Sequence, residues 1–238
     1  MIEQTQVDEL KTNIQTAQRI VFLTGAGVST HSGIPDYRSK NGIYQGTATP
    51  PEVLLSEDTL LHHPADFHKF VMDNMYFPAA QPNLIHQKIA EICNAKGTLI
   101  TQNVDGLDRK AGNQHVIEFH GNLYNIYCTK CQQMFSYQEY QQNFRHDKDA
   151  GIIRPGIVLY GEPINQQKVA ASLQAVANAD LIIICGTSFV VYPFAGLLDY
   201  AGPNAKIWAI NKTALPPRGR IKQITGDALA VFKLIKLN

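Results

Sequence analysis

The sequence predicts an α/β chain built on a doubly wound parallel sheet, and three observations carry that reading. Short apolar runs, Arg19 to Thr24, Thr98 to Thr101, Leu181 to Cys185 and Lys206 to Ile210, have the pattern of strands covered on both faces. Segments with helical spacing alternate with them. Polar clusters follow the ends of several of these runs, and open α/β sheets bind ligands beyond the carboxyl ends of their strands.

Taken in order, Val7, Leu10, Ile14 and Ala17 recur at helical spacing and predict a first helix before the strand at 19–24. That strand runs into Gly25-Ala26-Gly27, where Gly25 and Gly27 can adopt positive φ and let a phosphate approach the backbone. Alone this is a weak dinucleotide signal. The strict spacing wants a small residue where Thr30 stands, and no acidic ribose partner is evident after the next strand. Residues 37–80 break the rhythm with Pro50, Pro51, Pro64, Pro78, Gly42, Gly46, His62, His63 and His68, which predicts a mobile loop followed by short helices. Pro82 opens another helix, with Leu84, Ile85, Ile89, Ile92 and Cys93 on its buried side and Gly97 ending it.

The strand at 98–101 delivers Gln102-Asn103-Val104-Asp105-Gly106, and Val116 to Phe119 leads into His120-Gly121-Asn122. A helix over 169–179 precedes the strand ending at Cys185, which runs into Gly186-Thr187-Ser188. Amides and short hydroxyls there suit phosphate or ribose oxygens, although a plain strand-to-loop turn reads the same way. The next strand ends at Asn211, and Thr225-Gly226-Asp227 opens the final helix. Apart from His146, the other histidines read as surface or loop residues.

The 238 residues are 45% hydrophobic and 17% charged, enough to bury one substantial core with a small appendage. Basic and acidic residues, 21 and 20, are well mixed, so no electrostatic footprint for nucleic acid or a membrane surface stands out. Glu3, Asp8 and Glu9 near the N-terminus, with no long apolar stretch, and only four cysteines predict neither a signal peptide nor a secreted disulfide scaffold. A cytoplasmic monomer is the expectation.

The segments GAGVSTHSGIPDYR, TQNVDGL, EFHGN, CTKC, IRPGIVLYGE and GTSFVVYP follow one another in that order. In these motifs the chain resembles the sirtuins, the NAD-dependent protein deacylases, over nearly its whole length. The resemblance implies a Rossmann-like lobe of about 1–36, 81–123 and 155–238, a helical and cofactor-loop lobe of about 37–80, and a small zinc-ribbon-like module of about 124–154.

It also implies NAD as cofactor. Gly25, Ala26, Gly27 and Thr30 would form the cofactor turn, Asp36 would brace the loop, and Arg38 would face the phosphates, an ordinary Asp-Arg surface pair being the plain alternative. Tyr37, where most relatives carry Phe, would shield the reactive ribose. Gln102 would contact the cofactor, Asn103 would organise the ribose and a water, and Asp105 and the backbone around Val104 would hold the nicotinamide carboxamide. Gly186, Thr187 and Ser188 would contact the cofactor, Asn211 would sit near the adenosine ribose, and Asp227 with Ala228 would lie beside the adenine. The lysine amide oxygen would attack the ribose carbon freed by nicotinamide. His120 would then act as general base, taking a proton from a ribose hydroxyl as it attacks the alkylimidate carbon.

Products would be lysine, nicotinamide and O-acyl-ADP-ribose. The acyl-lysine peptide would add as a strand along IRPGIVLYGE, passing Val158 and Tyr160 with Gly161 and Glu162 beside it. Gly156 stands where the family usually has Asn or Asp. No arginine lies between Phe67 and Phe77, so a neutral acyl group, acetyl first, is expected.

Sirtuins usually hold structural zinc through two CxxC pairs, and this chain has one, Cys128 and Cys131. At the place of the second stand His146 and Asp149 with the same spacer, both types able to ligate zinc. A bound zinc and a metal-free solvated loop are both readings of that stretch. The function expected is NAD-dependent protein-lysine deacylation. ADP-ribosyl transfer or NAD hydrolysis, and a non-catalytic NAD or ADP-ribose sensor, are the alternatives; His120 and the IRPGIVLYGE groove argue against the first.

Overall fold

The structure, a computed structural model, describes residues 2–36, 49–217 and 219–235. Helix α1 (Gln4–Thr16) buries Val7, Leu10 and Ile14 and leads into strand β1 (Ile20–Thr24), every residue of which is buried. Three short helices follow, α2 (Pro51–Leu54), α3 (Glu57–His62) and α4 (Pro64–Asn74). Helix α5 (Leu84–Lys96) begins two residues beyond Pro82, because Asn83 is its cap: the Asn83 side chain accepts the Ile85 N–H at 2.8 Å. Strand β2 (Gly97–Thr101), the single turn α6 (Leu107–Lys110) and strand β3 (Val116–Glu118) come next.

The chain then leaves the main sheet for β4 (Gly121–Cys128), β5 (Met134–Phe135), helix α7 (Tyr137–Gln142) and β6 (Ile153–Ile157). It returns through α8 (Gln166–Ala177), β7 (Leu181–Cys185), β8 (Lys206–Asn211), β9 (Ile221–Thr225) and α9 (Ala228–Leu234).

The six strands β3-β2-β1-β7-β8-β9 pair in parallel throughout. Successive side chains point to opposite faces of a strand, so each face gathers its own core. Phe22, Ile183 and Trp208 pack with Leu10, Ile89 and Phe232 on one side; Val21, Leu23, Ile182 and Ile184 pack with Val176, Phe194 and Leu197 on the other. Burial on both faces is why these strands read as unbroken apolar runs. Strand β9 was not foreseen. It is an edge strand whose Lys222 and Thr225 are exposed, which leaves too few apolar residues to mark it.

A three-stranded antiparallel sheet, β5-β4-β6, forms the smaller layer. Its inner residues Leu123, Ile126, Ile153 and Ile157 share one core with Leu55, Leu60, Phe67, Phe70 and Val71 of the helices α2–α4 and their connections. No helix among the described residues is long and apolar enough to cross a membrane.

Candidate active site

In strand order the chain reaches β2 and β3 on one side of β1 and β7 on the other, so the connections leaving β1 and β7 diverge and open a crevice at their C-terminal ends. A cleft of about 920 Å³ lies there. It is lined by Ala26, Gly27, Thr30 and Asp36 after β1, Gln102, Asn103 and Val104 after β2, and His120 after β3. Gly186, Thr187 and Ser188 after β7, Asn211 at the end of β8, and Asp227 and Ala228 at the start of α9 complete that wall. Val158, Tyr160, Gly161 and Glu162 line the opposite side with Leu55, Met75, Ile157 and Leu159. Tyr37, Arg38 and the rest of the expected loop to residue 48 lie outside the described residues.

The glycine turn works differently from its sequence reading. Gly25 has an extended backbone, and neither it nor Gly27 adopts positive φ. Their lack of side chain matters for close approach instead: a Cβ at Gly25 would come within 2.7 Å of the Thr187 Cβ, and one at Gly27 within 2.7 Å of the Gly186 carbonyl oxygen. The ends of β1 and β7 can therefore touch, and the Gly27 N–H bonds that carbonyl at 2.8 Å. Thr187 fastens the next strand end too, its hydroxyl donating to Gln102 Oε1 at 2.8 Å.

His120 is held beneath this wall. A carbonyl oxygen only accepts, so the 3.4 Å contact between His120 Nδ1 and the Gln102 carbonyl places the proton on Nδ1 and leaves Nε2 as a base. Burial pushes the imidazole below its usual pKa; the Gln102 carbonyl opposes this and the Lys168 charge adds to it. Lys168 is fixed nearby by its bond to the Glu118 carbonyl at 2.7 Å.

The carboxylates of two expected contacts have partners within the protein. Asp105 is not among the lining residues: its carboxylate accepts the Ser29 hydroxyl at 2.7 Å and the Leu107 N–H at 2.9 Å. Glu162 lines the cleft, but its carboxylate forms a two-pronged pair with buried Arg154 and accepts the Leu159 N–H at 2.9 Å. Arg154 also donates to the carbonyls of Ile157 and Pro155, so it clamps the whole turn that carries Val158 and Tyr160. The turn is stitched further by the Val158 N–H to His120 and the Tyr160 N–H to Leu55.

Ser29, Arg154, Lys168 and His86 are the site residues that pattern reading missed. His86 corrects the expectation that the remaining histidines are superficial, since it is 1% exposed and packs against Ser29. A signal for it existed. An Asn followed three residues later by a side chain able to bond back is a helix-capping pattern, met here by Asn83 and His86.

The chemistry of the cleft fits a dinucleotide. Asn211 accepts the Thr187 N–H through Oδ1 at 3.0 Å, while its buried Nδ2 has no partner among the described residues and can serve a ribose oxygen. The four expected metal ligands also converge. Cys128 Sγ, Cys131 Sγ, His146 Nδ1 and an Asp149 oxygen lie within 4.8 Å of one another. Three of their separations are 3.5 Å (Cys128 to Asp149), 3.4 Å (Cys131 to His146) and 3.0 Å (His146 to Asp149). Tetrahedral zinc with sulfur at about 2.3 Å and nitrogen or oxygen at about 2.0–2.2 Å has ligand-to-ligand edges of about 3.3–3.8 Å. The Gly151 N–H holds the Asp149 carboxyl down at a pKa of about 2, which keeps it an anionic ligand.

The Sir2 family model matches residues 25–193. An NAD-dependent protein deacetylase of Listeria innocua is 49% identical over 95% of this chain and 99% of its own length, and one of Lactiplantibacillus plantarum is 45% identical over 98% and 100%. A solved Sir2 homologue in complex with NAD is 33% identical with a TM-score of 0.85, covering 96% of this chain and 91% of its own. A Sir2 structure holding a deacetylated peptide and 3′-O-acetyl-ADP-ribose is 30% identical with a TM-score of 0.85, covering 95% and 96%. With the strand order, the cleft and these matches in agreement, the chain belongs to the Sir2 family.

Proposed function

We propose that this chain is an NAD-dependent protein-lysine deacylase acting first on acetyl-lysine, and that it releases lysine, nicotinamide and O-acetyl-ADP-ribose. The observation that carries the reading is the convergence of His120, Asn103, Gln102 and the Gly186-Thr187-Ser188 turn on one cleft whose far wall is the Val158 to Glu162 turn. NAD, when bound, supplies a ribose carbon that loses nicotinamide and a hydroxyl that receives the acyl group.

The chain's own residues do the rest. Gly27, Thr30, Gly186 and Ser188 bind the phosphate and ribose oxygens, Asn211 offers Nδ2 to the adenosine ribose, and Asp227 and Ala228 border the adenine. Asn103 and the Val104 backbone orient the nicotinamide end. His120 Nε2 takes the ribose-hydroxyl proton, because Nδ1 is committed to Gln102. Ile157, Leu159, Leu55 and Met75, all nine-tenths or more buried, exclude water from the acyl-lysine tail and present no cation to an acidic acyl group. Cys128, Cys131, His146 and Asp149 would hold a structural zinc, which would tie β4 to the 144–152 loop.

Mass spectrometry of an acetyl-lysine peptide incubated with the protein tests this. NAD-dependent loss of acetyl matched by O-acetyl-ADP-ribose is the expected outcome. Nicotinamide release with the acetyl group intact would replace the reading by NAD hydrolysis or ADP-ribosyl transfer.

A further inference from the structure

The Ser29 hydroxyl is used to capacity. A hydroxyl has one proton to donate and two lone pairs, and three polar groups meet this one: Asp105 Oδ2 at 2.7 Å, Asn103 Nδ2 at 3.3 Å and His86 Nε2 at 3.3 Å. An ionised carboxylate only accepts, so the Ser29 proton goes to Asp105. The Asn103 amide nitrogen only donates and takes one lone pair. His86 must therefore bring a proton on Nε2 to take the other.

The far side of the imidazole agrees. His86 Nδ1 faces the Asn83 backbone N–H at 3.3 Å, and an N–H only donates, so Nδ1 is bare and the neutral ring carries its proton on Nε2. Both His86 and Ser29 are 1% exposed, and water does not compete for these bonds. Every proton from the start of α5 to Asp105 is thereby assigned.

We infer that His86 is a positioning residue for the nicotinamide end of the cleft: through Ser29 it fixes Asn103, which lines the site, and Asp105, whose neighbour Val104 does. The inference rests on the proposed deacylase reading for what Asn103 and the Val104 backbone beside Asp105 do. Its geometry does not depend on that reading.

Long-range proton–nitrogen NMR on the whole protein with isotope-labelled histidine, at neutral pH, reads the tautomer directly. Protonation at Nε2 of His86 is expected; protonation at Nδ1 would overturn the inference. Kinetics of His86→Leu and His86→Gln give the second readout. The Leu variant should weaken nicotinamide product inhibition and lower kcat by about tenfold, the scale of one buried hydrogen bond, with KM for the acetyl peptide unchanged. The Gln variant, whose amide reaches the Nε2 position, should recover most of that loss, whereas a purely structural histidine would give equal losses in both. Adding His86→Leu to Ser29→Ala should cost nothing further, since the two act in one chain. Additive losses, or unchanged nicotinamide inhibition in the Leu variant, would overturn the inference. If His86→Leu does not fold, the tautomer decides. If the wild-type protein shows no NAD-dependent deacetylation, the functional reading fails while the tautomer still tests the hydrogen-bond chain.

Discussion

Replacing Arg154 by Met should unfasten the peptide wall of the cleft. Arg154 is 5% exposed, and its guanidinium serves both Glu162 carboxylate oxygens, the Ile157 carbonyl at 2.6 Å and the Pro155 carbonyl at 3.2 Å. Met fills similar volume but donates nothing, so it leaves a largely buried carboxylate whose remaining bond is the Leu159 N–H. Removing one partner of a buried pair costs about 3–5 kcal/mol. The Glu162 side chain keeps 19% exposure, and water reaching it brings the expectation to the lower end, about 3 kcal/mol. In a chain of this size each kcal/mol moves Tm by about 2–4 °C, which gives a fall of about 6–12 °C in thermal unfolding followed by circular dichroism. Steady-state kinetics at permissive temperature should show KM for the peptide rising severalfold. NAD affinity should hold, because the wall at Gly27, Gly186 and Asn211 belongs to other strands. Glu162→Gln should show the same pattern with a smaller shift. A Tm within about 2 °C of wild type for Arg154→Met, or a loss falling on NAD instead of peptide, would refute the clamp.

Gly27→Ala must push a methyl to within 2.7 Å of the Gly186 carbonyl, a backbone atom, so NAD affinity measured calorimetrically should fall and stability drop by about 1–3 kcal/mol. His120→Ala should keep NAD binding and abolish acetyl transfer, read by coupled mass spectrometry. Because burial depresses the His120 pKa, its base form persists into acid, and the acid limb of kcat/KM should fall below the ordinary imidazole value of about 6.5; Lys168→Met removes one depressing charge and should move that limb upward. Buried His86 is likewise pushed down, so below about pH 6.5 the unfolded chain binds protons that the folded one refuses. Urea stability should then be complete above that pH and decline as the pH falls toward the folded-state values. One zinc per chain is expected by elemental analysis, and Cys131→Ser or chelation should lower both zinc content and Tm.

The cofactor side of the site was legible because it is built from strand ends. Gln102, Asn103, His120 and Gly186 to Ser188 each follow a short apolar run, and the parallel sheet must bring such positions to one edge. The walls were harder. Leu55 and Met75 approach Ile157 and Leu159 across the shared core of the helices and the small sheet, a contact between segments about a hundred residues apart that leaves no local period. The four candidate metal ligands are named through the resemblance, Cys128 and Cys131 as its one CxxC pair and His146 and Asp149 at the place of the second, and a hairpin and a loop return them to one point.

Two carboxylates beside the cleft show what burial demands of a charged group. The resemblance implies that Asp105 holds the nicotinamide carboxamide and that Glu162 lies beside the peptide, and both carboxylates already have partners within the protein. A partly buried carboxylate must satisfy its lone pairs whether or not substrate is present, and the nearest donors belong to the protein: Arg154 and the Leu159 N–H for one, Ser29 and the Leu107 N–H for the other. Such a residue shapes the wall before anything binds. Residues with a polar atom left over among the described residues are the ones positioned to meet a ligand, as with Asn211 Nδ2 and the Nε2 of His120. Substituting Glu162 should therefore act through stability and peptide KM together, whereas substituting Asn211 with Ala should weaken NAD binding more than it lowers Tm. Equal effects of the two on Tm would show that the unpartnered amide is structural after all.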